Sequence, residues 1–104
     1  MPKKRTKKSR TTNTLQVRII GTPSGPYVDM EPVYLGLNDE VEWWPAQGQD
    51  FTVDFKSGGP FSGTKFDKSN PHSGKPNVPS NPKKIYKYTI TSGGVTIDPG
   101  VIIH

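Results

Sequence analysis

The sequence predicts an all-β fold, an antiparallel β-sandwich of about six to eight short strands. Apolar and polar residues alternate over several short stretches, which is the pattern of strands that bury one face. The chain of 104 residues contains 11 glycines and 11 prolines, so turns and loops are frequent. No segment shows helical periodicity for longer than about one turn.

The first half of the chain contains four candidate strands with apolar residues in alternate positions: Leu15, Val17 and Ile19; Val33, Leu35 and Leu37; Val41 and Trp43; Phe51, Val53 and Phe55. The breaker-rich segment 21–26 separates the first two strands, and Pro45 ends the third. Trp44 and Tyr34 occupy the opposite phase. We expect Trp44 to pack beneath a loop, against Phe61 or Phe66. The alternative is that Trp44 contacts a partner.

The last strands surround a turn at 92–94: Tyr86, Tyr88 and Ile90 precede it, and residues 95–97 and 101–103 follow. A long Pro/Gly-rich insertion at 57–84 interrupts what we predict to be one domain over residues 14–104. A stretch of this length without regular structure is uncommon in a compact domain. It is interpreted either as a tolerated surface insertion or as a functional loop, and Phe61 and Phe66 are its candidate attachments to the core.

Positive charge is concentrated in segment 1–13, which we predict to be a disordered basic tail. Residues 11–104 carry eight basic and nine acidic side chains, a net charge of −1, although the whole chain carries +5. Such a tail can contact nucleic-acid phosphates or an anionic membrane surface, or it can act only as a solubilising segment. The possible phosphate contacts are Lys3, Lys4, Arg5, Lys7, Lys8 and Arg10.

Composition disfavours several classes of function. The chain contains no cysteine, which excludes disulfides, thiol catalysis and Cys-based zinc sites. Its two histidines, His72 and His104, do not suffice for a structural zinc site, so we expect no metal and no cofactor. No Ser-His-Asp arrangement is recognisable, and we expect no enzyme activity. No apolar run has the length of a membrane span or a signal peptide, so the sequence predicts a cytoplasmic protein.

Two segments together resemble the cupredoxins. In that family, a Gly-Asp-x-Val-x-Trp segment precedes the strand of the first copper histidine; here 38–43 reads Asn-Asp-Glu-Val-Glu-Trp, and 51–53 reads Phe-Thr-Val. The family closes with Tyr-x-Tyr, a cysteine and a methionine loop; here 86–90 reads Tyr-Lys-Tyr-Thr-Ile, and 98–101 reads Asp-Pro-Gly-Val. The resemblance covers roughly residues 15–104. It implies two packed sheets in Greek-key order.

The resemblance does not imply a copper centre. Phe51 takes the position of the histidine, Ile90 that of the cysteine, and Asp98 lies at or near that of the methionine. A blue-copper site requires imidazole and thiolate ligands. We interpret the apolar replacements as packing residues that fill the space of the metal.

The leading hypothesis is therefore a non-catalytic, metal-free, cupredoxin-like interaction module with an unknown protein partner, contacted by segment 57–84 and by Trp44. The competing hypothesis is a nucleic-acid-associated protein that binds phosphates through Lys3 to Arg10. An electron-transfer copper protein is the third hypothesis, which the ligand replacements disfavour.

Overall fold

The computed structural model describes residues 13–56 and 58–104, and every regular element in these ranges is a β-strand. The strands are β1 (Asn13–Thr22), β2 (Gly25–Val28), β3 (Val33–Leu35), β4 (Asp39–Pro45), β5 (Thr52–Asp54), β6 (Lys65–Asp67), β7 (Asn81–Lys87), β8 (Thr89–Ser92), β9 (Val95–Ile97) and β10 (Gly100–Ile103). The all-β prediction is confirmed. Two strands were not predicted, because β2 overlaps the breaker cluster and β6 lies within segment 57–84. No membrane-spanning helix is found in the described ranges.

The strands form three sheets. One sheet is antiparallel and has the order β9–β8–β5–β6. The other two have the orders β2–β1–β4 and β3–β10–β7, and each contains one parallel pair, β1 with β4 and β3 with β10. The predicted antiparallel pairing therefore holds for five of the seven strand pairs in the described ranges and fails for these two. Apolar alternation identifies a strand, but it does not give the direction of the partner.

Strands of all three sheets contribute to one apolar core. Trp43 of β4 is fully buried, and its ring centroid lies 5.0 Å from that of Phe66 and 5.6 Å from that of Tyr88. Phe55 lies against the same group, 5.0 Å from the Tyr88 ring. Aromatic rings of this size remove a large apolar area from water, which lets a small domain hold together.

Tyr88 is the single residue between β7 and β8, where the chain passes from one sheet to another. Its backbone N–H donates to the Pro99 carbonyl at 2.9 Å, and its side chain is buried. The Tyr-x-Tyr segment therefore belongs to two sheets, although alternation alone makes it read as one strand. Tyr86, on the β7 side, is only half-buried.

Segment 57–84 contains more regular structure than its composition suggests. It includes all of β6 and the first residues of β7. Phe61 and Phe66 are buried in the core, 6.4 Å apart between ring centroids. They attach this segment to the domain, as expected from the sequence.

The predicted basic tail lies outside the described residues, with the exception of Asn13. This applies to all six possible phosphate contacts: Lys3, Lys4, Arg5, Lys7, Lys8 and Arg10. Asn13 begins β1, and its side-chain amide donates to Asp39 Oδ1 at 3.1 Å. The strand thus starts before Leu15, its predicted start, because polar contacts hold its first residues and apolar alternation does not reveal them.

Candidate binding surface

The sheet β2–β1–β4 has one face on the core and one outer face. Val17 and Trp43 are paired in register and buried, and the next pair, Arg18 and Trp44, is exposed. We define the outer face by the residues that share the phase of Arg18: Thr14, Gln16, Arg18 and Ile20 of β1; Glu40, Glu42 and Trp44 of β4; Tyr27 of β2.

Side-chain hydrogen bonds connect β1 and β4 on the outer face. The Thr14 hydroxyl donates to Glu40 Oε2 at 3.0 Å, and the Gln16 amide donates to Glu42 Oε1 at 3.1 Å. Both pairs are direct register partners of the parallel strands. These neutral donors fix the two carboxylates in place without neutralising their charge.

Residues 71–73 cover the other edge of β4. The Trp43 N–H donates to the Pro71 carbonyl at 3.0 Å, and the Ser73 N–H donates to the Val41 carbonyl at 2.9 Å. The Val41 N–H in turn donates to the Ser73 hydroxyl oxygen at 2.8 Å, in a buried position. Backbone groups that would otherwise form an open strand edge are therefore satisfied within the chain.

This edge contact brings His72 onto the outer face. Its Nδ1 lies 3.2 Å from Glu40 Oε2, and its Nε2 lies 3.8 Å from Glu42 Oε2. The two glutamate side chains are 18% exposed, whereas that of His72 is 51% exposed. In the sequence alone, His72 has the context of an ordinary loop residue. Its contact with Glu40 is not visible there, because the two residues are 32 positions apart.

A shallow groove of about 720 Å³ lies along the outer face. Gln16 and Arg18 of β1 line it together with Glu42 of β4 and with Asp29, which follows β2. The Arg18 backbone N–H donates to Asp29 Oδ1 at 2.9 Å and thereby fixes the position of that carboxylate. The groove thus presents an amide and a guanidinium from β1 and one carboxylate from each side of that strand, each about one strand spacing away.

Two aromatic side chains of the outer face are exposed: Trp44 to 47% and Tyr27 to 50%. A cleft of about 250 Å³ lies beside Trp44 and is bounded by Pro45 and Pro71. Phe61 and Phe66 do not cover Trp44, because both pack against Phe55 in the core. The expectation that Trp44 packs against them beneath segment 57–84 therefore does not hold.

The outer face and its groove carry more negative than positive charge. Arg18 is opposed by three carboxylates, those of Asp29, Glu40 and Glu42. Within the described ranges, no carboxylate forms an ion pair with the Arg18 guanidinium. The guanidinium is therefore available to a ligand, and the net charge of the surface disfavours a polyanion.

The positions that the cupredoxin resemblance assigns to copper ligands carry no ligand set. Phe51 and Ile90 are buried in the apolar core. The pairing of β5 with β8 places Val53 opposite Ile90, so Phe51, two residues before Val53, shares this inner face. Asp98 lies at the surface, with its Oδ2 3.9 Å from Lys87 Nζ.

The two histidines do not form a metal centre together with carboxylates in the part of the chain that the structure describes. Residues 13–56 and 58–104 contain no group of three or more His, Asp or Glu side chains arranged to hold a metal ion. His104 is exposed after β10, and its backbone N–H donates to the Leu35 carbonyl at 3.0 Å.

Sequence reasoning identified Trp44 and missed the rest of the outer face. Gln16 and Arg18 lie opposite Glu42 and Trp44 only because β1 and β4, about 26 positions apart, pair in parallel. A weak signal was present in the sequence. The outward phase of β1 carries hydrogen-bond donors, and that of β4 carries carboxylates and Trp44.

Comparison with known proteins gives no significant match to a protein-family model, to a curated protein or to a solved structure.

Proposed function

We propose that this chain is a non-catalytic, metal-free binding module with a cupredoxin-like, Greek-key β-sandwich, and that the outer face around Trp44 binds its partner. The exposure of Trp44 to 47% on a hydrogen-bonded sheet carries the proposal. Tryptophan is among the residues most enriched at binding hot spots. A surface whose side chains are already fixed loses less conformational entropy when a ligand binds.

The metal-free character is supported by the chemistry of Phe51 and Ile90. Neither side chain offers a donor atom, and both fill the core. Equilibrium dialysis of the full chain against Cu(II) is expected to leave less than one tightly held ion per chain. One retained copper ion per chain, lost on substitution His72→Ala, would contradict the proposal.

The role of Trp44 is tested with Trp44→Ala and a matched control, Tyr34→Ala. Tyr34 is 58% exposed and lies on β3, in a different sheet. The full chain is screened against immobilised polysaccharides, nucleic acids and proteins. A ligand that binds saturably is expected to lose about tenfold or more in affinity with Trp44→Ala and to be unaffected by Tyr34→Ala. Saturable binding of a polysaccharide or protein that is unchanged in a folded Trp44→Ala variant would contradict the outer face as the binding surface.

A second candidate function is nucleic-acid association through the basic tail, residues 1–13, and the uneven charge distribution favours it. Six of the fourteen basic residues lie within the first ten positions. Neutralised phosphates release counterions, so this mode predicts steep salt dependence. The full chain is compared with a chain lacking residues 1–12 in salt titrations with DNA and RNA. Equal binding by both chains would rule out the tail as the determinant.

A further inference from the structure

Resting on the proposed function, we infer that the outer face binds a neutral polysaccharide chain. Trp44 and Tyr27 are the platforms on which sugar rings stack, and the groove beside Gln16, Arg18 and Glu42 contacts the hydroxyl groups. The exposed strand face of the OB-fold, a small β-barrel, binds oligosaccharides in the same way.

The placement of the two platforms favours a ligand of several units. Trp44 pairs in register with Arg18, and Tyr27 pairs with Ile20, two residues further along β1. The Cα atoms of Trp44 and Tyr27 are two strand spacings apart across the sheet and two residues apart along it, a distance of roughly 12 Å. A single sugar ring reaches only one of these side chains. A chain of several sugar units reaches both.

The chemistry between and beside the platforms matches a sugar. A pyranose ring has apolar C–H faces, which match aromatic rings, and a rim of hydroxyl groups, which donate and accept hydrogen bonds. The Gln16 amide, the Arg18 guanidinium and the Glu42 carboxylate supply both donors and acceptors along one groove. Glutamate and aspartate, by contrast, are depleted at protein–protein interfaces, and Glu42 and Asp29 both line this groove.

The charge of the outer face favours a neutral ligand. Three carboxylates, those of Asp29, Glu40 and Glu42, outnumber Arg18 and the Lys68 side chain that lines the cleft beside Trp44, so this face disfavours nucleic acids and sulfated or uronic polysaccharides. A neutral chain experiences no such repulsion. Its hydroxyl groups can donate to carboxylates that already have fixed orientations through Thr14 and Gln16.

The test is isothermal titration of the full chain with a panel of neutral hexasaccharides built from β-linked glucose, N-acetylglucosamine, mannose or xylose. The corresponding monosaccharides and heparin are titrated as controls. At least one hexasaccharide is expected to bind, with its monosaccharide weaker by at least about tenfold because it occupies one platform only. Heparin, which the basic tail can bind, is expected not to displace the hexasaccharide.

The variants Trp44→Ala and Tyr27→Ala are each expected to weaken hexasaccharide binding by about tenfold or more, and Tyr34→Ala by less than about twofold. Circular dichroism and melting curves verify that all three variants fold. No binding to any member of the panel, or equal binding by Trp44→Ala, would overturn the inference. If Trp44→Ala instead abolishes binding to a protein or nucleic acid while the panel gives no signal, the polysaccharide assignment fails and the binding module stands.

Discussion

The indole Nε1 of Trp43 donates a hydrogen bond of 3.3 Å to the phenolic oxygen of Tyr88, and both side chains are buried. This bond joins β4 to the point where the chain crosses between two sheets. Among the described residues, every buried side-chain nitrogen or oxygen has a hydrogen-bond partner. The Trp43 N–H lies in an otherwise apolar core and needs a hydrogen-bond partner, and the Tyr88 hydroxyl oxygen provides it.

Tyr88→Phe removes the acceptor of the Trp43 N–H and leaves that donor buried without a partner. We expect the free energy of unfolding to fall by about 1–3 kcal/mol, because the desolvation cost of the N–H is no longer offset. Chemical denaturation measures this change. Tyr34→Phe is the control, since Tyr34 is exposed, and it is expected to change stability by less than about 0.5 kcal/mol. A loss of equal size in both variants would contradict the assigned role of the bond.

The stability of the protein is expected to decline above about pH 10. Burial raises the pKa of the Tyr88 phenol well above its ordinary value, and the smaller effect of the Trp43 hydrogen bond opposes that rise. The unfolded chain ionises this phenol near pH 10, so above that pH the folded state binds more protons than the unfolded state. The contribution of Tyr88 to the free energy of unfolding is complete below about pH 10, and it is lost as the pH rises towards the folded-state pKa.

The measurement is urea denaturation between pH 9 and pH 11.5 for the natural chain and for Tyr88→Phe. The natural chain is expected to lose stability more steeply, by up to about 1.4 kcal/mol per pH unit. If the stability of both proteins falls equally with pH, the phenol of Tyr88 has the same pKa in the folded and the unfolded state.

The sequence predicts the inward phases well and the pairing of strands poorly. Trp43 on the inner face and Trp44 on the outer face follow from alternation along β4, a local property. The parallel register between Arg18 and Trp44 depends on long-range packing, and no local pattern encodes it. His72 illustrates the same limit, because its contact with Glu40 requires a return of the chain to the edge of β4.

Ser73→Ala tests whether residues 71–73 are fixed to β4 by the Ser73 hydroxyl. That oxygen accepts from the Val41 N–H at 2.8 Å, and the hydroxyl donates to the Gly74 carbonyl at 2.8 Å. Its removal leaves a buried backbone N–H without a partner, and we expect a loss of about 1–3 kcal/mol in the free energy of unfolding. Hydrogen exchange at the Val41 amide is expected to accelerate. Ser80→Ala, at an exposed position, serves as the control.

Ser69→Ala is expected to raise the pKa of the Asp67 carboxyl towards its ordinary value. The Ser69 hydroxyl donates to Asp67 Oδ1 at 2.7 Å, and this bond is the largest cause of the lowered pKa of Asp67. Backbone N–H groups of Ser69 and Asn70 donate to the same oxygen and remain in the variant, so part of the lowering persists. NMR titration of the Asp67 carboxyl carbon measures the shift. An unchanged Asp67 pKa in Ser69→Ala would mean that the backbone donors alone cause the lowering. Ser62→Ala is the control.

Gly59→Ala tests how tightly the aromatic core is closed by segment 57–84. A Cβ atom at position 59 would overlap the ring of Phe55. That ring cannot easily move, since its centroid lies 5.0 Å from that of Tyr88 and 5.7 Å from that of Phe61. We therefore expect thermal unfolding to show a destabilisation of about 1–3 kcal/mol, typical of an overpacked core.

Two comparisons separate this steric effect from the general effect of replacing glycine. Gly21→Ala places its Cβ no closer than 3.7 Å to a neighbouring side chain, and at such a position alanine is expected to be neutral or to stabilise by up to about 1 kcal/mol. The double variant Gly59→Ala/Phe55→Leu should lose less stability than the sum of the losses of the two single variants. The smaller leucine side chain leaves room for the new methyl group. Strict additivity of the two substitutions would show that the methyl group introduced at position 59 and the Phe55 ring do not compete for the same space.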